Sequence, residues 1–267
     1  MPEAPRLEGA LLVSQDGPVA TVTINRAEQR NAMTMRMWLG MADLMRELGD
    51  NRAVRVVVVR GAGERAFVAG ADITEFDRLL ADPEQMHQYP IAVEACMRGV
   101  EALPKPVIAM VNGVAMGGGC ELATVCDLRI AAEHAKFGVP ACRLGIVITF
   151  QDTQRLTDLV GPAHAKDLLF TGRVLDAAEA LRVGLVNRVV PAAALSAHTY
   201  ELAQQIAAGA PLTVRGAKHH VNRCLRAPLL RDPADGIALS HQAFASRDFR
   251  EGVAAYLEKR NPIFVGE

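Results

Sequence analysis

Short apolar runs alternate with longer amphipathic segments along the first two thirds of the chain. Strands are predicted at residues 9–15, 19–25, 54–61, 107–112 and 127–131. The first two flank Asp16-Gly17-Pro18, which predicts a β-hairpin. The Val-rich run at 54–61 has no polar alternation, which is typical of a strand covered on both faces of a parallel sheet.

Helical periodicity dominates the rest of the chain. Helices are predicted at residues 34–48, 83–103, 121–126, 150–160, 163–170, 176–183, 195–208, 212–225, 232–245 and 247–259. Start signals support them, such as Asp176 with Glu179 three residues later. Strands that alternate with helices, followed by a helical tail, predict an α/β core with a C-terminal helical region.

Three consecutive glycines, Gly117 to Gly119, lie between a predicted strand and a predicted helix. In a helix or strand, each glycine lowers stability by about 0.5–1 kcal/mol relative to alanine. Three glycines in a row therefore indicate that the absence of side chains serves a purpose here. A helix N-terminus presents unpaired N–H groups, which bind a phosphate or an oxygen that becomes negative during a reaction. No nucleotide-loop motif is present. A tight turn with close packing remains the alternative.

A second turn of small residues follows the predicted strand at 54–61. Ala69, Gly70 and Ala71 lie in the segment "AFVAGADI". Because ligands collect at the carboxyl ends of parallel strands, N–H groups from the two turns together would form an oxyanion hole.

With these segments, the chain resembles the crotonase superfamily, the enoyl-CoA hydratase/isomerase group, over nearly its whole length. The resemblance rests on "TINRAEQRNAM", "AFVAGADI", "PKPVIAMVNGVAMGGGCELATVCDLRIA", "AKFGVP", "TQRL", "AAEALRVGLVNRVV" and "EGVAAYLEKRNP". It implies a spiral of ββα units with a C-terminal helical region. It also implies a core and active site at residues 1–195 and a trimerisation region at 196–267.

The resemblance also implies roles for single residues. Ala71 and Gly118 match the two oxyanion N–H donors, and Glu121 matches a catalytic carboxylate. The expected coenzyme A contacts are Ala69, Asp72 and Ile73 at the adenine, Arg30 and Ala32 at the entrance, and Tyr256 and Lys259 in the C-terminal helix. A buried glutamate that only stabilises the helix dipole is the alternative for Glu121. A solvated helix face is the alternative for Lys259.

The chain departs from the family pattern at two places. Family hydratases have a second acid after the "FG-x-P" segment, where this chain has Ala141, so this substrate-pocket position cannot move a proton. The usual glycine-rich loop is replaced by "ITFQDTQRL". Asp152 in that segment is a candidate substitute acid, but Thr149 three residues earlier favours a helix-capping role. Cys142 is expected to be buried and inert, and Arg143 would point away from the site if this segment is a strand.

Composition excludes several other classes of function. The net charge of −1 gives no sign of a nucleic-acid or membrane-surface partner, and the five cysteines form no CxxC pair. Cys96, Cys120 and Cys126 are expected in the core. Neither an apolar run of membrane-spanning length nor a targeting segment is recognised, so we expect a cytoplasmic protein without metal.

The expected function is the reversible hydration of a 2-enoyl-CoA or a related unsaturated acyl-CoA. The substrate carries the coenzyme A, so no separate cofactor is expected, and a homotrimer or a dimer of trimers is expected. A double-bond isomerase, an acyl-CoA decarboxylase and a non-catalytic acyl-CoA-binding homologue remain alternatives, because Ala141 lacks the second acid.

Overall fold

The computed structural model describes residues 4–225 and 246–267, and its larger sheet has seven strands. In spatial order these are β1 (Ala4–Arg6), β2 (Leu11–Asp16), β3 (Val19–Ile24), β4 (Val56–Gly61), β6 (Val107–Val111), β8 (Leu128–Ala132) and β11 (Arg188–Val190). The first three strands are antiparallel, which confirms the hairpin, and β3 through β11 are parallel.

A second, four-stranded sheet was not predicted. It consists of β10 (Leu175–Asp176), β9 (Lys136–Gly138), β7 (Val114–Met116) and β5 (Ala66–Val68) in spatial order. These strands have two or three residues each, which is too short for an alternating pattern to be recognised.

The predicted helices agree with the structure to within a few residues. The helices of the first part are α1 (Met35–Asp50), α2 (Phe76–Leu80), which was not predicted, α3 (Pro83–Ala102), α4 (Gly118–Val125) and α5 (Phe150–Thr171). Those that follow are α6 (Ala177–Arg182), α7 (Leu195–Ala207), α8 (Pro211–Cys224) and α9 (Arg247–Glu258). Gly161, with a φ of 75°, interrupts α5 between the two helices predicted there. The predicted helix at 232–245 lies outside the described residues.

One structural unit repeats along the chain. A strand of the large sheet is followed by a short strand of the small sheet and then by helix: β4 and β5 precede α2 and α3, β6 and β7 precede α4, and β8 and β9 precede α5. The predicted spiral of ββα units is therefore confirmed. Each repeat places a strand-to-helix turn beside the turn of its neighbour.

Alternate residues of β4 face two separate cores. Val57 and Val59 pack into the main core between the two sheets and the helices, whereas Val56 and Val58 pack into a second core. Helix α7 closes the second core through Leu195 and other apolar residues. Both faces of the sheet are therefore covered, which explains the continuous Val run.

The C-terminal end of α4 is fixed by Arg129 of β8, whose side chain is only 2% exposed. Its guanidinium donates hydrogen bonds to the carbonyl oxygens of Cys126 at 2.5 Å and Leu185 at 2.8 Å. A cation at this end also complements the helix dipole. These bonds anchor the C-terminal end of this short helix, and thereby help to fix the position of the helix as a whole.

Candidate active site

The three glycines form the turn that leads from β7 into α4. Gly117 has a φ of 50°, and Gly118 is the first residue of the helix. At Gly119 a Cβ atom would lie 2.0 Å from the carbonyl oxygen of Val68 in β5, so only glycine lets the helix approach this strand. Close packing and exposed N–H groups therefore both explain the triplet.

The turn after β5 lies directly against the first residues of α4. A Cβ atom at Gly70 would lie 2.9 Å from the carbonyl oxygen of Met116 and 3.8 Å from the nitrogen of Gly118. The Met33 N–H donates to the Gly70 oxygen, and the Asp72 N–H donates to the Met33 oxygen, both at 2.9 Å. Because N–H groups alternate in direction along extended backbone, the Ala71 N–H faces away from Met33.

Ala71 and Gly118 contribute two N–H groups that the protein itself does not use. In the described part of the chain, neither group donates a hydrogen bond. The N-terminal end of α4 adds a partial positive charge at the same place. Two free donors on adjacent turns are suited to holding an oxygen that gains negative charge.

Glu121 lies in the first turn of α4 and is 9% exposed. Within residues 4–225 and 246–267, its carboxyl group makes no hydrogen bond or ion pair with another side chain. The pKa of Glu121 is raised to about 8, mainly by burial and also by the negative charge of Asp152, while the positive charge of Arg155 lowers it in part. A carboxyl group with this pKa exchanges a proton readily near neutral pH.

An aromatic cluster lies beside the two turns, and no local sequence pattern indicates it. A Cβ atom at Gly118 would lie 3.1 Å from Cζ2 of Trp38. The Trp38 indole N–H donates to the Tyr89 hydroxyl at 3.2 Å, and the rings of Tyr89 and Phe76 pack edge to face. These residues come from α1, α2 and α3, so only the fold brings them together. They form an apolar wall next to Glu121.

Asp72 anchors the segment that was predicted to contact coenzyme A. Its buried carboxylate accepts hydrogen bonds from the Thr74 hydroxyl at 2.6 Å and from Arg26 at 2.7 Å. Burial favours a higher pKa of Asp72, but the bonds from Thr74 and Arg26 outweigh it and hold the pKa below its usual value. Ile73 beside it is 63% exposed. Asp72 thus shapes the turn, while Ile73 is free to contact a ligand.

Arg26, which sequence reasoning missed, connects the loop before α1 to the same segment. Its guanidinium bonds both Asp72 and the carbonyl oxygen of Ala32, each at 2.7 Å. The Ala69 N–H donates to the carbonyl oxygen of exposed Arg30 at 3.1 Å. The structure therefore brings together the five residues predicted at the adenine and entrance, although their contacts with coenzyme A stay a prediction.

Asp152 lies in the first turn of α5 and is 2% exposed. Its N–H donates to the Thr149 hydroxyl at 3.1 Å, and that hydroxyl is 2.7 Å from the Asp152 carboxylate. Arg155 bonds the other carboxylate oxygen at 2.8 Å. The expected helix cap is confirmed, and the ion pair is a feature that the sequence did not reveal.

Replacing Thr149 with alanine should reduce the free energy of unfolding by about 1 kcal/mol, because it removes this cap. Denaturant unfolding measures the change. Thr149→Ser, which keeps the hydroxyl, is the control and should remain close to the parent protein. Equal stability of the alanine and serine variants would contradict the capping role.

Comparisons with known proteins agree with this geometry. The family model described as enoyl-CoA hydratase/isomerase matches residues 14–267. The chain belongs to this family.

Two curated relatives have matching lengths. The crotonyl-CoA hydratase of Syntrophomonas wolfei is 40% identical over 260 residues, which cover 96% of this chain and 98% of that protein. The short-chain-enoyl-CoA hydratase of Clostridium acetobutylicum is 39% identical over 250 residues, which cover 94% and 95%.

A solved structure shares the fold over nearly all of both chains. The enoyl-CoA hydratase/carnithine racemase of Magnetospirillum magneticum superposes with a TM-score of 0.93 at 38% identity, and the match covers 99% of this chain and 97% of that one. The predicted family and fold class are thereby confirmed.

Ala141 occupies the position where the family resemblance predicts a second acid. It lies in a 3₁₀ turn at Ala141–Arg143 and is partly buried against the main core. The expectation that Cys142 is buried is wrong, because Cys142 is exposed, and Arg143 lies in this turn, so the strand considered for it does not form. A turn replaces the strand here because Pro140 precedes it and the backbone bonds close locally, from Arg143 N–H to Pro140 and from Leu144 N–H to Ala141.

The three cysteines that were expected in the core lie there. Cys96, Cys120 and Cys126 are all buried. Burial raises the pKa of each thiol, to about 12 for Cys120 and Cys126, so these side chains remain protonated and unreactive.

Of the two C-terminal side chains predicted to reach coenzyme A, the structure describes only one. Lys259 follows the end of α9, is exposed and has a φ of 55°. The side chain of Tyr256 lies outside the part of the chain that the structure describes. Among the described residues, no cluster of His, Cys, Asp and Glu side chains is suited to a metal ion, and no helix is long and apolar enough to cross a membrane.

Proposed function

We propose that this protein adds water reversibly across the double bond of a 2-enoyl-CoA. One observation carries the proposal: the unpaired carboxyl group of Glu121 lies one helical turn from the free N–H of Gly118, which adjoins the turn of Ala71. The names of the two curated hydratases, at 39% and 40% identity, support the same reaction.

The two N–H groups have a defined part in this reaction. When water adds to the β-carbon, negative charge moves onto the thioester oxygen and forms an enolate. Donors from Ala71 and Gly118 would hold that oxygen throughout. Because they are fixed by the backbone, they need no rearrangement as the charge develops, which is the property that makes such donors effective.

Glu121 would move the proton by itself. Its ionised form takes a proton from water as the oxygen bonds to the β-carbon, and the same carboxyl then delivers a proton to the α-carbon. In the reverse direction it removes the α-proton and returns it to the leaving hydroxyl. Both directions begin with the ionised carboxylate, so the rate should increase as pH rises through about 8.

A mass-spectrometric assay in heavy-oxygen water tests the reaction class. Crotonyl-CoA should give a hydroxyacyl-CoA that contains the heavy isotope. An isobaric product from a 3-enoyl-CoA would indicate isomerisation, and loss of CO₂ from a malonyl-type thioester would indicate decarboxylation. Binding without turnover of any of these would support the non-catalytic alternative.

Replacing Ala141 with glutamate should increase hydration of crotonyl-CoA, if Ala141 faces Glu121 across the acyl pocket, because a second carboxyl group could share the proton transfers. Steady-state kinetics measure the change, and Ala141→Gln is the control of the same size without a charge. Loss of native activity in both variants would show instead that the pocket needs space for a bulkier acyl group.

We propose further that the active form is a homotrimer or a dimer of trimers in the cytoplasm, with residues 196–267 at or near the subunit contacts and no cofactor besides the coenzyme A of the substrate. Tyr256 and Lys259 would then reach coenzyme A, which in the family is often bound to a neighbouring subunit. Light scattering at micromolar concentration tests the assembly, and a monomer would contradict it.

A further inference from the structure

The altered segment at the start of α5 buries a carboxylate on a helix that packs against the helix of Glu121. Helix α5 packs against α4, and Asp152 lies in the first turn of α5, as Glu121 lies in the first turn of α4. Asp152 is 2% exposed and Glu121 is 9% exposed, so little water separates or screens the two groups. Charges in such surroundings interact much more strongly than charges at the surface.

The position of the Asp152 carboxylate is determined by two bonds. The Thr149 hydroxyl donates to one oxygen at 2.7 Å, and Arg155 donates to the other at 2.8 Å. Arg155 also bonds Glu101 at 2.8 Å and lies 3.5 Å from Glu94, both on α3. Arg98 also pairs with Glu94 at 3.3 Å, so two guanidinium groups face three carboxylates and do not fully cancel their combined negative charge.

The other groups around Glu121 are few. From α3 the Tyr89 hydroxyl interacts with it, and the neighbouring Cys120 thiol does so from α4 itself. Burial raises the pKa values of Tyr89 and Cys120 to about 12, so both are neutral near pH 8. Strands β5 and β7, which also pack on α4, contain no titratable side chain. Asp152 and Arg155 are therefore the charged groups that act on Glu121.

We propose that Asp152 is a positioning residue that makes the Glu121 carboxylate a stronger base. The negative charge of Asp152 disfavours a second negative charge at Glu121, so Glu121 holds its proton more tightly. Asp152 has both oxygens engaged and does not transfer protons itself. It compensates in part for the acid that is missing at Ala141, because one carboxyl group that must both accept and donate a proton works best with a pKa near the working pH.

The titration of Glu121 can be measured without a substrate. Protein with ¹³C-labelled glutamate carboxyl groups is titrated by NMR, and the Glu121 signal is assigned by its loss in Glu121→Gln. The parent protein should titrate at about pH 8. In Asp152→Asn the midpoint should shift down by about one pH unit, the usual size of one neighbouring charge, while burial keeps it above the ordinary value.

Glu101→Gln is the matched control. It also removes one carboxylate from Arg155, but Glu101 is not among the charges that act on Glu121. The Glu121 midpoint should therefore stay within a few tenths of a pH unit of the parent value, because charges without a direct interaction are largely screened. An Asp152→Asn midpoint equal to that of the parent, in a variant that remains folded by circular dichroism, would overturn the proposal. An equal downward shift in both variants would overturn it too.

A kinetic measurement, which rests on the proposed function, distinguishes an effect of Asp152 on the pKa of Glu121 from a purely structural role of Asp152. In Asp152→Asn the rise of kcat/KM with pH should move down together with the NMR midpoint, and the plateau should fall a few-fold because the base is weaker. A lower plateau with an unmoved midpoint would show a structural role only. If NMR shows the shift but no enoyl-CoA is hydrated, the proposed function fails and the proposal about Asp152 stands.

Discussion

Glu121→Gln should lower the turnover of crotonyl-CoA by about 10²–10⁴-fold, the usual range for loss of a general acid–base group. The amide has nearly the same shape but cannot take a proton from water. Binding of the substrate should change little, since the donors at Ala71 and Gly118 remain. Steady-state kinetics and calorimetric titration with a non-reactive acyl-CoA measure the two effects.

Glu133→Gln is the control for this substitution, because Glu133 is an exposed glutamate outside the site. It should retain full turnover. Near-normal turnover in a folded Glu121→Gln variant would contradict the assignment of Glu121 as the proton carrier and would favour a role in stabilising the helix dipole.

The same variant has an expected effect on stability. The folded protein holds the Glu121 proton up to about pH 8, whereas the ordinary value is 4.5. The stability that this group contributes is present below pH 4.5 and is lost as pH rises to about 8. The stability of Glu121→Gln relative to the parent should therefore increase across this window and then level off. Urea unfolding at several pH values measures it, and a constant difference would contradict the raised pKa.

Gly118→Pro should lower turnover by about 10²–10³-fold, the usual cost of losing one oxyanion donor. Gly118 is the first residue of α4, a position where the fixed φ of proline is tolerated, so the main chemical change is the loss of the N–H group. The proline also adds a Cβ atom 3.1 Å from the ring of Trp38. Turnover is measured alongside the circular dichroism spectrum.

Gly118→Ala isolates the steric part of this effect. It places a Cβ atom at the same point against Trp38 but keeps the N–H group. The ratio of the two turnover rates therefore reports the donor alone. If the alanine and proline variants lose activity equally, packing against Trp38 accounts for the loss and the N–H of Gly118 is not an oxyanion donor.

Local patterns were sufficient to predict much of the architecture. The continuous Val run of β4 indicated a strand buried on both faces, and that strand separates the two cores. Asp176 was recognised as a helix start, and its side chain does accept a bond from the Glu179 N–H at 2.8 Å. These features depend on residues close together in the chain, so their physical cause is present in the sequence itself.

The small sheet could not be predicted in the same way. Its strands have two or three residues, and β5 and β7 pair only because the long strands β4 and β6 are already adjacent in the large sheet. The hydrogen bonds that define these strands join residues far apart in the chain. Local strand propensity therefore accounts for too little of the stability of these strands to predict them.

The sequence by itself determined which groups are candidates for the chemistry, whereas the tertiary structure decided their surroundings. Glu121 and the turns of Ala71 and Gly118 stand out as residue types at a strand-to-helix junction, and the family resemblance assigns them roles. The raised pKa of Glu121 comes from burial and from Asp152, which lies on another helix, 31 residues later in the chain than Glu121. Burial and the field of distant charges exist only after the helices pack, because both depend on which groups exclude water from the site.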